Sequence, residues 1–225
     1  MAELAAAIEK VKTAIQQAAE RSGRPATSIH LVAASKRVPL EVLRKAAVAG
    51  ISIFGENRVQ EGIAKFEATG FKKDIAALHL IGPLQTNKVN KAVGLFDLIH
   101  SVDSHRLAER IEKEAARRGI VQAVLIEVNI ANERNKHGAS VGETPGLVEA
   151  IRSLPHLSLL GLMAIPPQSA DPEGARPYFA ALRELGHRMG IDRFSMGMSG
   201  DFEVAIEEGA TWVRVGTALF GRRAA

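Results

Sequence analysis

Two kinds of segment alternate along the chain. Short runs rich in Val, Ile, Leu and Ala predict buried strands, and the amphipathic stretches between them, with apolar residues three or four positions apart, predict helices. The strands are expected at Ile29–Ser35, Ile51–Gly55, Ala77–Gly82, Leu98–Val102, Ala123–Asn129, Leu157–Ile165, Arg193–Gly197 and Trp212–Gly216. The helices are expected at residues 4–22, 39–49, 57–69, 85–94, 104–118, 143–154, 173–190 and 200–209.

Strict alternation of strand and helix favours a parallel sheet, and eight strands favour a closed barrel. The predicted fold is an α/β protein, a single (β/α)8 TIM barrel over residues 1–225 with an extra N-terminal helix. A chain of 225 residues, 46% of them hydrophobic, is long enough for one large core, and no linker rich in Pro, Gly or Ser divides it. An open doubly wound sheet is the alternative that counting strands leaves open.

A barrel of this kind carries its functional groups at the carboxyl ends of the strands and binds phosphate near the last two. Polar or small residues at these ends are therefore the candidates for chemistry. They are Lys36, Glu56, Asn57, Gln85, Asn87, Asp103, Asn129, Ser199, Arg214, Gly216 and Thr217.

Lys36 ends the apolar stretch LVAAS, so its ammonium group is expected at the mouth of a buried strand. Burial favours the neutral amine, and a neutral amine attacks carbonyl groups. We therefore predict that Lys36 forms a Schiff base. The alternative is that Lys36, like most lysines just beyond a strand, simply reaches solvent.

Two turns rich in small residues follow the last two predicted strands: SMGMSG at 195–200 and RVGTALFG at 214–221. Glycines let a backbone approach a ligand closely, and helix N-termini present free N–H groups. Together the turns predict a phosphate site with hydroxyls from Ser199 and Thr217 and amides from Gly200 and Gly216. Taken singly, Ser199 would be a helix cap and the glycines ordinary turn residues.

Arg214 lies within the last strand, where an inward side chain would need an anion or another acceptor. A buried salt bridge with Asp or Glu is an equally good interpretation of its position. Asn57, which opens a helix, is either a ligand contact or a cap. Glu56 beside it is a candidate supporting partner.

The histidines and the lysine in the polar loop are expected to have structural or solvent-exposed roles. His79 stands in an apolar strand and is expected to be a hydrogen-bonded core residue. Lys136 is expected to be a solvated charge in a polar loop, and His137 gives no case for a metal. The seven histidines show no ligand spacing with carboxylates, so no metal site is expected.

Composition narrows the functional classes. The chain has no cysteine, which excludes disulfides, thiolate metal sites and cysteine nucleophiles. Its net charge of +4 is modest and scattered, and a single Trp and a single Tyr leave no stacking platform for nucleic acid. The charged N-terminus does not resemble a signal peptide, and the apolar runs are too short for a bilayer, so the cytoplasm is expected.

A lysine Schiff base beside a phosphate site describes two chemistries: a sugar-phosphate aldolase, or binding of pyridoxal 5′-phosphate (PLP), which carries both an aldehyde and a phosphate. The presence of Arg214 helps to distinguish these two chemistries. In most PLP enzymes a carboxylate contacts the pyridine nitrogen and keeps that nitrogen protonated. An arginine there would leave the nitrogen unprotonated and weaken the ring as an electron sink.

At this level of detail the chain resembles the YggS/PROSC family, the PLP homeostasis proteins, over nearly its whole length. The matching motifs are ASK at 34–36, FGENRVQE at 54–61, HLIGPLQTNK at 79–88, SVD at 101–103, GLMAIP at 161–166, SMGMS at 195–199 and VRVGTALFG at 213–221. The family is similar to the N-terminal barrel of alanine racemase. The resemblance implies that Lys36 carries PLP as an internal aldimine and that Arg214 faces the pyridine nitrogen. It also implies that Ser199, Gly216 and Thr217 hold the phosphate, with Asn57 beside the ring.

The resemblance implies a carrier or regulator of PLP and amino-acid pools, without established turnover, rather than an ordinary enzyme. Its expected partners are PLP and the apo-enzymes that receive it, with no nucleic acid and no membrane, and a monomer is expected. The alternative is a PLP-dependent racemase of unknown substrate. Racemisation needs an acid or base on each face of the substrate, and alanine racemase takes a tyrosine from a second domain. The only tyrosine here, Tyr178, is expected on the helix after the sixth strand, so Lys136 or His79 would have to serve.

Overall fold

A computed structural model describes residues 2–134 and 136–221. Eight parallel strands form a closed barrel in sequence order, with the last strand pairing with the first. The predicted TIM barrel is therefore confirmed and the open sheet is excluded. The strands are β1 His30–Ala34, β2 Ile53–Glu56, β3 Ala77–Leu80, β4 Leu98–Val102, β5 Gln122–Glu127, β6 Leu157–Met163, β7 Phe194–Ser195 and β8 Trp212–Val215.

Helices follow the strands on the outside of the barrel, and a long helix precedes them. Within the described residues they are α1 Ala2–Arg21, α2 Leu40–Val48, α3 Val59–Gly62, α4 Val89–Ala92, α5 His105–Arg118, α6 Thr144–Arg152, α7 Arg176–Arg188, α8 Phe202–Glu207 and α9 Thr217–Phe220. The extra N-terminal helix α1 buries Ile8, Val11 and Ile15 and packs against α8 and α9. Because α8 and α9 follow β7 and β8, α1 supports the side of the barrel expected to bind phosphate.

Side chains fill the barrel itself as well as the layer between strands and helices. A small inner cluster joins alternate strand positions, which point to one side of the sheet. Its buried members are Val32, Ile81, Leu98, Leu125, Met163 and Trp212. The barrel is therefore a packed core, and ligands have access only to its ends.

Several predicted elements were too long. The stretch predicted as the helix 57–69 consists of α3 followed by a π-helical turn, Ile63–Glu67, and the helix predicted at 85–94 is a 3-10 turn, Thr86–Lys88, followed by α4. The strand predicted at Arg193–Gly197 is only β7, because Gly197 adopts φ +87°, outside the strand region. These shorter elements lengthen the loops at the barrel mouth.

The predicted single domain over 1–225 stays a prediction, since residues 1, 135 and 222–225 lie outside the described residues. Among the described residues, no helix has the length and apolar character needed to cross a bilayer. Nor do three His, Asp or Glu side chains of this part of the chain converge in a metal-binding arrangement.

Candidate functional site at the carboxyl end of the barrel

Lys36 lies in the turn directly after β1, at the carboxyl end of the barrel. The expectation of buried surroundings was wrong: Ser35 is buried, but Lys36 itself is exposed. It lines a cleft of about 650 Å³ together with Asn57 and Glu61. An exposed amine in a cleft is accessible to an aldehyde that arrives from solvent.

Asn57 follows β2 and shares the cleft with Lys36. It is not a helix cap, because α3 begins after Arg58 and has no side-chain cap. The backbone of Asn57 is pressed against Gly82 in the loop after β3, where an added Cβ would lie 2.4 Å from the Asn57 carbonyl oxygen. Ser101 Oγ donates to the Gly82 carbonyl at 2.7 Å, so three strand ends fix the position of Asn57.

Gly82→Ala is expected to displace Asn57 and to lower the free energy of unfolding by about 1–3 kcal/mol, the usual cost of overpacking. Gly146→Ala, within α6, is the matched control, because nothing lies within 4 Å of its added Cβ. Alanine should there be neutral or stabilising. Urea unfolding of the two variants measures the difference, and equal stabilities would show that the close approach at Gly82 is unimportant.

Arg214 points into the barrel, where it is only 4% exposed. Its Nη1 donates to Ser195 Oγ at 2.6 Å and its Nη2 to the Ala164 carbonyl at 3.1 Å. No carboxylate of the described residues lies within ion-pair distance, so the salt bridge considered above is absent. Burial lowers the pKa of Arg214 to about 10, and the more distant Glu127 and Asp201 oppose that shift. The guanidinium is thus a buried cation without a direct counter-ion.

A hydrogen-bonded chain runs from Arg214 through the barrel. Ser195 Oγ lies 2.9 Å from His100 Nδ1, and His100 Nε2 lies 3.0 Å from His79 Nδ1. The expected hydrogen-bonded core position of His79 is confirmed. One arrangement satisfies every step: Arg214 donates to Ser195, Ser195 to His100, and His100 to His79, with both imidazoles neutral.

The buried histidines predict acid sensitivity. Burial lowers the pKa of His79 from 6.5 to about 4. Between these values the unfolded chain binds the proton and the folded chain does not. The contribution of His79 to stability is therefore complete above pH 6.5 and is lost as the pH falls toward 4, by up to about 1.4 kcal/mol per pH unit.

His79→Gln should reduce this loss of stability with falling pH, because glutamine keeps a hydrogen-bond acceptor but does not titrate in this range. Urea unfolding of both proteins between pH 7.5 and 5 gives the two slopes. Identical slopes would mean that His79 is protonated equally in the folded and unfolded states.

The two turns predicted to hold phosphate do meet. Ser199 Oγ accepts hydrogen bonds from the Gly216 N–H at 3.1 Å and the Ala218 N–H at 3.3 Å. Ser199 therefore joins the turn after β7 to the start of α9, and it does not cap α8, which follows Asp201. Within the described residues, the backbone N–H groups of Gly200 and Thr217 have no acceptor. A Cβ on Gly200 would meet nothing within 4 Å, so open space lies over this backbone.

The remaining candidates have other surroundings. Lys136 is exposed and pairs with Glu133, in agreement with the solvated charge expected for it. Tyr178 is half-buried on α7, on the outside of the barrel. Glu56 is fully buried beside the Lys36 turn, where it accepts a hydrogen bond from Ser35 Oγ.

Ser195 and His100 were not among the predicted site residues, because these were taken mainly from the strand ends and not from inward positions within strands. Both are polar residues in apolar strands, which is the signal that singled out His79. Glu127 was also missed, because the fifth strand was predicted to continue to Asn129, whereas β5 ends at Glu127. It is buried, and burial raises its pKa while Arg214 opposes the rise.

This barrel and its mouth define a protein of the class described as alanine racemase, N-terminal domain, and that family matches residues 6–224. Two relatives are each called pyridoxal phosphate homeostasis protein. The one from Aquifex aeolicus is 48% identical over 223 residues, covering 96% of each chain. The one from Pseudomonas aeruginosa is 41% identical over 229 residues, covering 99% of this chain and 97% of the relative.

A solved structure of PipY from Synechococcus elongatus with PLP bound is also similar. It has a TM-score of 0.78 and 38% identity, covering 92% of this chain and 99% of PipY. An alanine racemase from Clostridium difficile has a TM-score of 0.67 at 14% identity and covers 88% of this chain and 52% of the racemase, so it supports the fold alone. The chain belongs to the family of pyridoxal phosphate homeostasis proteins.

Proposed function

We propose that this protein binds PLP reversibly at the mouth of the barrel and takes part in PLP homeostasis in the cytoplasm. The observation that carries the proposal is the arrangement at one end of the barrel. An accessible lysine, a buried cation without a counter-ion and a turn pair with free amides all lie at the strand ends there. Family membership and the PLP-bound PipY structure support the same ligand.

The residues present fit PLP group by group. Gly200 and Thr217 have amides without acceptors, and Ser199 adds a hydroxyl beside them, which suits a phosphate. Arg214 has no carboxylate partner, so its guanidinium is available as a donor to a neutral ring nitrogen. Asn57 lines the same cleft as Lys36 and would lie beside the ring.

When bound, PLP supplies an aldehyde that condenses with a primary amine, and one water leaves. Lys36 would provide that amine at Nζ, and hydrolysis would return it unchanged. Gly216 would hold the turn that carries the phosphate donors. An exposed anchor such as Lys36 is accessible to water and to competing amines, which suits reversible loading.

We further propose that the protein acts without turnover, as a monomer that passes PLP to apo-enzymes. Racemisation would need a second acid or base beside Lys36. The candidates in the described part of the chain are engaged elsewhere: His79 is buried within the hydrogen-bonded chain, and Lys136 pairs with Glu133. Tyr178 is on α7, outside the barrel.

Two measurements on the purified protein test this function together. Equilibrium dialysis should show reversible binding of one PLP per chain. Deuterium incorporation at Cα of a panel of amino acids in D2O should then not exceed that of free PLP. Absence of PLP binding would overturn the proposal, whereas binding with rapid exchange of one amino acid would identify an enzyme.

A further inference from the structure

The turn that carries Lys36 is held from both sides by one ion cluster, which we call the brace: the fully buried Glu56 and the half-buried Glu61 and Lys65. Lys65 Nζ donates to the Ser35 carbonyl at 2.8 Å, to Glu56 Oε1 at 2.9 Å and to Glu61 Oε2 at 3.0 Å. Glu61 Oε2 in turn accepts the backbone N–H of Arg37 at 2.9 Å. The residues on either side of Lys36 are thus both fixed by side chains of the segment after β2.

The turn needs such support, because its conformation is unfavourable. Arg37 has φ +58°, in the left-handed region that a residue with a Cβ seldom adopts. A positive φ in a non-glycine residue persists where the surroundings enforce it, and such residues cluster at functional sites. Here the enforcing contact is the bond from Arg37 N–H to Glu61.

The brace owes its shape to an irregular helix. Glu61 lies in α3, and Lys65 lies in the π-helical turn Ile63–Glu67 that continues it. Single π-turns are rare in proteins, and those that occur are often found at functional sites. Asn57 precedes the same helix, so one segment carries the side chain beside the proposed ring and the two side chains that fix the lysine turn.

Lys65 is itself unsuited to react with an aldehyde. Its ammonium has two carboxylate partners and a carbonyl acceptor, which together use its three N–H donors. Glu56 is fully buried and also accepts from Ser35 Oγ at 2.8 Å, so it anchors the cluster in the core. The second oxygen of Glu56 has no partner among the described residues. The brace therefore has a structural task, whereas Lys36 lines the cleft without an ion-pair partner among the described residues.

We propose that Glu61 and Lys65 are positioning residues for Lys36: they hold its turn in the conformation in which Nζ meets the aldehyde of PLP. This inference rests on the proposed function. The proposed phosphate site lies in the turns after β7 and β8, and its hydrogen bonds do not include the brace. Loss of the brace should therefore weaken covalent attachment at Lys36 and leave non-covalent binding of PLP in place.

Lys65→Met tests the inference, with Lys45→Met as the matched control. Lys45 likewise pairs with a glutamate four residues earlier, Glu41, but this pair lies on the exposed face of α2. The first readout is the fraction of bound PLP that borohydride fixes to Lys36. The second is hydrogen exchange of the Arg37 amide in protein free of PLP.

For Lys65→Met we expect the equilibrium constant for covalent attachment to fall about tenfold, and Arg37 exchange to accelerate by a similar factor. Both effects reflect the loss of the charge-assisted hydrogen bond from Lys65 Nζ to the Ser35 carbonyl. The control should match the wild type in both readouts. Glu61→Ala should reproduce the effect with the Glu56–Lys65 contact intact. Glu61→Gln keeps an acceptor for the Arg37 N–H, so its covalent attachment and its Arg37 exchange should be close to those of the wild type.

The outcomes separate the two proposals. Wild-type protein that takes up no PLP on Lys36 would overturn the proposed function. Wild-type protein labelled on Lys36, with Lys65→Met and Glu61→Ala unchanged in both labelling and Arg37 exchange, would overturn the positioning role alone. Should Lys65→Met fail to fold, the comparison of Glu61→Ala with Glu61→Gln decides.

Discussion

Lys36→Ala is expected to abolish covalent attachment of PLP and to weaken binding by tenfold or more, without eliminating it. The covalent bond disappears with the amine, and a factor of ten corresponds to about 1.4 kcal/mol. The phosphate donors around Ser199 and the guanidinium of Arg214 lie on other strands and are not disturbed. Because Lys36 is exposed, the folded structure should be unaffected. Equilibrium dialysis with PLP gives the residual affinity.

Lys36→Arg is the control for charge, because guanidinium keeps the positive charge but does not condense with an aldehyde under these conditions. Both variants should lose the absorption band that borohydride removes from the wild type. Loss of all measurable affinity in Lys36→Ala would show that the phosphate turns contribute little. Unchanged covalent labelling would place the anchor on another lysine.

Arg214→Glu is expected to change both the absorption spectrum of bound PLP and the stability of the barrel. A guanidinium beside the ring nitrogen keeps that nitrogen unprotonated, whereas a carboxylate favours its protonation. The substitution also removes the donors to Ser195 and Ala164 and brings a further acid near Glu127 and Asp201. Losses from such buried changes are about 3–5 kcal/mol.

Arg214→Gln separates the two effects. Glutamine retains amide donors for Ser195 but carries no charge, so it should destabilise less than glutamate and leave the nitrogen unprotonated. Spectra of the PLP-loaded proteins, together with urea unfolding, measure both quantities. A spectrum of Arg214→Glu identical to that of the wild type would mean that Arg214 does not face the ring.

The strand pattern was predictable because parallel strands are buried on both faces and are nearly continuous apolar runs. The strand Leu98–Val102 was located to the residue. The helices at 57–69 and 85–94 were overextended, because helical periodicity does not reveal a π-turn or a 3-10 turn. In the first stretch, tertiary contacts such as that of Lys65 Nζ with the Ser35 carbonyl accompany the irregular helical geometry.

The site was only partly predictable. Ser199 and Gly216 were predicted as phosphate ligands because two small-residue turns occur where a barrel binds phosphate, and that role stays a prediction. The contact between the two residues follows from the adjacency of β7 and β8. The hydrogen-bonded chain from Arg214 to His79 could not be predicted from the sequence, because it joins residues on four strands whose contacts depend on the register of the barrel. The brace was missed because Glu61 and Lys65 look like an ordinary exposed pair four residues apart.

The central claim is that Lys36 is the covalent anchor for PLP. The most direct test is an absorption spectrum of the protein loaded with PLP, recorded before and after borohydride, followed by peptide mapping of the reduced product. We expect a visible band that disappears on reduction, with the pyridoxyl group on Lys36. A protein that takes up no PLP, or one whose pyridoxyl group maps to another lysine, would contradict the claim.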